Sequence, residues 1–358
     1  GVTDIQGRKQ TLRSAADWGG EPLSQVSPTL WQSDAQRRRI TPFDDYTQWK
    51  QASGAPAGSD PATFMTLSGF EIELVRSAAE DENSWVSLAV DPQGRLVIAR
   101  EDKGLLRMTL TPDGSQVRQV ESINDTLLEC RGLLFAHDAL YANANNSKGF
   151  YRLRDTTGDG QYDEVQLLRE FPGSVGHGRN DLALGPDGLI YSIHGDAVDL
   201  PAEDILDRTS PLREARRGIR TREGHLVRTD ADGRNWELVA SGLRNPFGID
   251  FNAAGDLFTY DADAEHDMGS PWYRPTRIVH LRSGGDYGWR GRTKQWPAFF
   301  DDRGDNSIPA GQVGKGSPTA VKSGQRSSFP EPYRRAMFDL DWAYGRVLAC
   351  HLLPRGAG

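Results

Sequence analysis

SLAVDPQGRLVIAR (87–100), DLALGPDGLIYSIHGD (181–196) and GIDFNAAGDLFTYD (248–261) are three copies of one phrase. Each has an apolar pair, a turn of Asp-Pro-x-Gly character, and a strand in which apolar and polar residues alternate. Period-two alternation marks a half-buried strand. The Pro-x-Gly and Ala-Gly turns suit hairpin positions with φ > 0. Weaker copies occur at GLLFAHDALYANAN (132–145) and AMFDLDWAYGRVLACHL (336–352), with starts spaced about 45 to 90 residues apart.

Further strands follow each copy, such as 104–110 and 116–122 after the first and 224–230 and 236–241 after the second. Meanders of four strands repeated about an axis make a β-propeller. The expected fold is therefore all-β, a propeller over residues 67–358, with roughly four full blades and the start of another. A β-sandwich is the structural alternative, but it has no need of one phrase at blade-like intervals. Propellers close with about four to eight blades, so one or more blades are expected beyond Gly358. Residues 1–66 are polar, carry Trp18, Trp31, Trp49 and an Arg37–Arg39 run, and end in a Ser/Gly/Ala/Pro stretch at 53–62. They are expected to form an extension and linker.

The 358 residues are 37% hydrophobic and 26% charged, with a net charge of −8. That composition suits a globular chain and disfavours nucleic acid as the main partner. The Arg213, Arg216, Arg217, Arg220, Arg222 cluster is a local exception, read as a solvated loop. Apolar runs are too short to span a bilayer. Cys130 and Cys350 are too few for a disulfide framework. The start at Gly1 suggests a piece of a longer or processed protein.

Residues 241–291 hold the densest polar chemistry. Arg244-Asn245-Pro246 forms a turn, with Asn245 held extended by the proline. The guanidinium of Arg244 is a fixed fork of donors suited to a carboxylate or quinone oxygen. Asp261, Asp263, Glu265 and Asp267 follow, with His266 among them, then Trp272-Tyr273-Arg274-Pro275 and a Gly-Gly-Asp-Tyr-Gly-Trp turn. Carboxylates this dense either hold a hard cation or are answered by Arg274 and Arg277. His177, flanked by Gly176 and Gly178, is either a general base near neutrality or a hydrogen-bonded loop residue. His194 and Asp196 are candidates for the same pocket. Asp155, Asp159 and Asp163 sit in an oxygen-rich loop with Gly160 at its turn. It is either a calcium-holding hairpin or a plain Asp/Gly turn, since Gln166 stands where an EF-hand needs its Glu.

These segments together resemble the soluble quinoprotein glucose and aldose sugar dehydrogenases. SGLRNPFGIDF with GGDYGWRG is similar to their Arg-Asn-Pro and Gly-Gly-x-Tyr-Gly-Trp segments, and HGRNDLALGPDGLIYSIHGD to the segment bearing their catalytic histidine. DADAEHDMGSPWYRPTRI, GKGSPTAV and FDLDWAYGRVLACHL are similar to bacterial propellers of the membrane-bound dehydrogenase type, which often precede a c-type heme domain. The resemblance covers about residues 67–358. It implies a six-bladed propeller, pyrroloquinoline quinone (PQQ) and calcium as cofactors, and oxidation of a sugar or other alcohol. It also implies a periplasmic or extracellular location, with a c-type heme domain as electron acceptor. His177 would be the general base, Arg244 would polarise the quinone oxygens, and Asn245 would line the pocket beside it. A calcium-dependent lactonase with His177 as base, and a non-catalytic propeller binding carbohydrate or protein, are the alternatives.

Overall fold

In the computed structural model, the described residues are 2–3, 9–10, 58–201, 222–270, 273–291 and 307–354. Trp18, Trp31, Trp49, Arg37–Arg39, Trp272 and the cluster members Arg213 to Arg220 lie outside them, as does the side chain of His266. The chain divides into two compact units, Gly1–Glu80 and Asp81–Gly358. Within the first, β1 (Val2–Thr3) pairs antiparallel with β2 (Lys9–Gln10). Asp60 caps the short 3-10 turn Pro61–Thr63, its carboxylate accepting the Ala62 N–H at 2.9 Å.

The second unit is a propeller of antiparallel meanders. Blade 1 is β3 (Trp85–Val90), β4 (Leu96–Arg100), β5 (Leu105–Leu110) and β6 (Val117–Asn124). Blade 2 is β7 (Cys130–Ala136), β8 (Ala139–Ala144), β9 (Gly149–Arg154) and β10 (Glu164–Glu170). Blade 3 is β11 (Arg179–Leu184), β12 (Ile190–His194), β13 (Gly224–Thr229) and β14 (Trp236–Leu243). Blade 4 is β15 (Ile249–Phe251), β16 (Leu257–Asp261), β17 (Thr276–Leu281) and β18 (Gly311–Gly314). Blade 5 has three strands, β19 (Pro318–Ser323), β20 (Met337–Asp341) and β21 (Arg346–Cys350). First strands of successive blades adjoin, β3 to β7 to β11 to β15 to β19. Five blades thus stand among the described residues, where six were expected from the resemblance.

The repeated phrase is the hairpin joining the first two strands of a blade. In blade 1, the Asp91 carboxylate accepts the N–H groups of Gln93 and Arg95 at 2.9 and 2.8 Å. In blade 4, Asn252 Oδ1 accepts those of Ala254 and Asp256, both at 2.9 Å. Gly94 and Gly255 then take φ of +79° and +86°, which an L side chain resists. Blade 2 lacks the glycine because its turn is shorter. His137 and Asp138, at φ +48° and +56°, join Ala136 to Ala139 directly in the doubly left-handed form that fits strand twist.

Alternation predicted half-buried strands, and β20 of blade 5 alternates so, but the second strands of blades 2, 3 and 4 are buried on both faces: β8, β12 and β16 are buried throughout. Blades 2, 3 and 4 each lie between two neighbours, so both their faces are interior. Leu105, Leu133 and Leu140 pack between blades 1 and 2. Tyr141, Phe150 and Val227 pack between blades 2 and 3, and Ile193, Leu226 and Leu257 between blades 3 and 4. Phe258, Ile278 and Val321 join blades 4 and 5. Cys130 is buried, and burial pushes its thiol up to about 12, leaving it inert. Both cysteines are free. Among the described residues no helix is long and apolar enough to cross a membrane.

Candidate active site

Five chain segments converge on one cavity of about 560 Å³, lined by His177, Asp196, Arg222, Arg244 and Trp289 among others. His177 stands in the loop entering β11, Asp196 two residues past the end of β12, and Arg244 just after β14. All three therefore leave the same end of blade 3. Trp289 comes from the Gly-Gly-Asp-Tyr-Gly-Trp turn after β17.

His177 Nδ1 lies 2.6 Å from Asp196 Oδ1. The other carboxylate oxygen of Asp196 accepts the Trp289 indole N–H at 2.7 Å. The Asp196 backbone N–H donates to the Arg244 carbonyl at 2.8 Å, so the carboxylate is fixed from three directions. A carboxylate on Nδ1 selects the tautomer that presents Nε2 as the proton acceptor. Nε2 itself has no hydrogen-bond partner among the described residues. The guanidinium of Arg244 lies 5.7 Å from the Trp289 ring centroid and 3.5 Å from a Glu265 carboxylate oxygen. The cation thus lies over an indole face and beside one exposed carboxylate.

Other expected site residues lie elsewhere. Asn245 does not line the cavity: its Oδ1 accepts from Asn180 Nδ2 at 3.4 Å and its backbone N–H donates to Asp261 at 2.9 Å. His194 is fully buried between blades, with ring centroids 4.3 Å from Phe171 and 4.9 Å from His225. Its register partner on β13 is His225, so its ring points into the blade stack and not toward the cavity.

The four carboxylates of the acidic segment part company. Asp261 is fully buried and ion-paired with fully buried Arg277 at 2.8 Å. It also accepts the backbone N–H groups of Arg244 and Asn245, and so holds the Arg-Asn-Pro turn. Asp263 accepts the Tyr273 hydroxyl at 2.5 Å, and burial raises its carboxyl to about 6 against that bond. Glu265 faces Arg244, and Asp267 is buried. In the 155–163 loop, Asp155 accepts the N–H groups of Gly158 and Gly160 at 2.6 and 2.8 Å, and Asp159 that of Gln161 at 2.8 Å. Asp163 accepts the Thr156 N–H at 2.7 Å. These carboxylates organise a turn. Among the described residues no three His, Cys, Asp or Glu side chains converge as a metal set.

Trp289 and Arg222 were not singled out by sequence reasoning. The glycine-rich turn signals the first; the second was read only as one of an arginine run.

The buried histidines give the fold an acid limit. Burial, and then His225, hold His194 well below the ordinary imidazole range, and burial lowers His225 to about 4. Both pKa values are depressed on folding, so the unfolded chain binds protons first and stability falls as pH drops from 6.5 toward 4. At about 1.4 kcal/mol per pKa unit, His225 accounts for about 3 kcal/mol. Asp263 and Asp339, both raised to about 6, tilt the other way as pH rises from 3.8 to 6. The difference between wild type and His225→Gln in melting temperature across pH 4–7 isolates the histidine. The gap between the two should narrow toward acid; a constant gap would contradict the assignment.

The fold and its cavity define the class as a β-propeller with one chemically furnished end. The chain belongs to the family described as DUF7133, a domain of unknown function, whose model matches residues 61–278. No curated protein matches it in sequence. Among solved structures, the iodide structure of Trichoderma reesei Carbohydrate-Active Enzymes Family AA12 superposes with a TM-score of 0.56 at 15% identity, covering 85% of this chain and 89% of that one. The PQQ-bound aldose sugar dehydrogenase of Streptomyces coelicolor gives 0.51 at 15%, covering 76% and 78%. The holo PQQ domain of pyranose dehydrogenase from Coprinopsis cinerea gives 0.50 at 14%, covering 72% and 71%. The fold is thus that of the soluble PQQ sugar dehydrogenase-like propellers.

Proposed function

We propose that the protein oxidises a sugar or other alcohol with a quinone cofactor, with His177 as general base. The observation that carries this reading is the 2.6 Å contact between His177 Nδ1 and Asp196 inside the cavity that Arg244 also lines. A histidine so oriented accepts a hydroxyl proton at Nε2, and the carboxylate behind it stabilises the imidazolium that results. Asp199 and Ser174, also on the cavity wall, offer hydrogen-bond groups to the hydroxyls of a sugar.

PQQ is a planar aromatic tricarboxylate. The donor set fits it: Arg222 and Arg244 supply guanidiniums for carboxylate or quinone oxygens, and Trp289 supplies an aromatic wall. When bound, the quinone would supply the hydride acceptor. The chain's own residues bind and orient both ligands and take up the proton. Calcium is different, because among the described residues no three His, Cys, Asp or Glu side chains converge as a metal set, and no step is assigned to it. The same fact leaves the lactonase reading unsupported, since it needs several oxygen ligands meeting at one point.

Absorbance titration of the protein with PQQ tests the binding half. Wild type should show saturable binding. Arg244→Ala should weaken it by about tenfold or more, since a hydrogen bond to a charged group is worth about 1.5–3 kcal/mol. Absence of quinone binding by wild type would reject the reading and favour a non-catalytic propeller.

A further inference from the structure

The loop that presents His177 has no regular structure of its own, and glycines at 173, 176 and 178 make it intrinsically loose. Yet its backbone is held at nearly every carbonyl, and the two just before His177 are held by side chains of blade 2. Arg131 Nη1 on β7 donates to the Gly176 carbonyl at 2.7 Å. Asn145 Nδ2, just past β8, donates to Val175 at 2.8 Å. Arg179 donates to Ser174 at 3.1 Å and also to Phe171. On the other flank, the Ala197 and Gly195 N–H groups donate to the carbonyls of His177 and Gly178 at 3.1 and 2.8 Å.

The donors are themselves fixed by one carboxylate. Glu129 Oε1 accepts from Arg131 Nε at 2.8 Å and Nη2 at 2.6 Å, while Oε2 accepts from Asn145 Nδ2 at 2.8 Å. Asn145 Oδ1 then accepts the Arg179 backbone N–H at 3.1 Å. Steric fit tightens the arrangement. A Cβ at residue 178 would stand 1.8 Å from Asn145 Oδ1, and one at 195 would stand 2.6 Å from the His177 carbonyl. Only glycine admits both approaches.

We infer that Arg131 and Asn145, braced by Glu129, are positioning residues that set the place of the His177 ring against Asp196. They act through the loop carbonyls and touch no substrate. This inference rests on the proposed role of His177, but its first readout does not need catalysis. Arg179, whose buried guanidinium donates to the Phe171, Asn145 and Ser174 carbonyls, is unsuitable for testing because its loss threatens the fold; Asn145 is buried too, so Arg131, with 17% of its side chain exposed, is the primary test position.

The test compares wild type, Arg131→Ala, Asn145→Ala and Arg131→Lys by amide hydrogen exchange and by kcat and KM. The two alanine variants should speed exchange at the Arg179, Gly195 and Ala197 amides by about tenfold while β8 and β16 amides keep their rates. With PQQ loaded, kcat should fall by about tenfold to a hundredfold, as for a base displaced by about 1 Å, and KM should change little. Arg131→Lys, which keeps one donor for Gly176, should recover most of kcat. Loop amides that keep wild-type rates, or loosening spread equally over β8 and β16, would overturn the inference. So would selective loosening with kcat unchanged in an active protein. Selective loosening in a protein that shows no turnover even as wild type would uphold the loop restraint and reject the proposed function instead.

Discussion

His177→Ala is expected to lower kcat by about a hundredfold to ten-thousandfold, the span of a positioned general base. It is expected to leave the fold in place. The ring is about one-third exposed, with side-chain exposure of 33%, and belongs to a loop outside the blade cores. Its removal leaves Asp196 bonded to Trp289 and in reach of solvent, so no buried charge is stranded. A melting temperature within a few degrees of wild type together with lost turnover would distinguish chemistry from architecture. A large fall in melting temperature with turnover kept would make His177 a structural loop residue.

Arg277→Met should do the reverse, costing about 3–5 kcal/mol of stability, the penalty for stranding one partner of a buried ion pair. Arg277 and Asp261 are both fully buried, and Arg277 also donates to the Tyr287 carbonyl at 3.0 Å. Without the guanidinium, Asp261 keeps only backbone donors, among them those that hold the Arg-Asn-Pro turn. Arg244 should therefore shift in the cavity and PQQ binding should weaken in the folded fraction. Urea unfolding measures the first effect. A loss below about 1 kcal/mol would mean that solvent reaches the pair and that the turn does not depend on it.

The repeat made the propeller legible because the hairpins of blades 1 and 4 carry the same turn chemistry: Asp91 or Asn252 accepts the following N–H groups, and a glycine completes the turn. His177, Asp196 and Arg244 were legible for a related reason, since each stands at a blade-strand end where loops gather on one face. What depended on the partner across a sheet was not. Arg277 was legible as an answer to the acidic run, but that it serves Asp261 is fixed only when β16 and β17 pair and place the two opposite each other. His194 reads as part of a polar Ser-Ile-His-Gly-Asp segment, but the strand ends at His194, and its ring enters the blade stack opposite His225. Trp289 reaches Asp196 across 93 residues, a distance no local pattern spans. The acidic run looked like one site because its members are close in sequence. Burial, Tyr273 and two arginines send them to different partners.

The most direct test of the central claim is dye-coupled oxidation of a panel of aldoses and simple alcohols by the protein incubated with PQQ and calcium. The account expects turnover of at least one aldose by wild type, dependent on added quinone and lost in His177→Ala. Quinone bound without turnover of any of them, or turnover undiminished in His177→Ala, would contradict it.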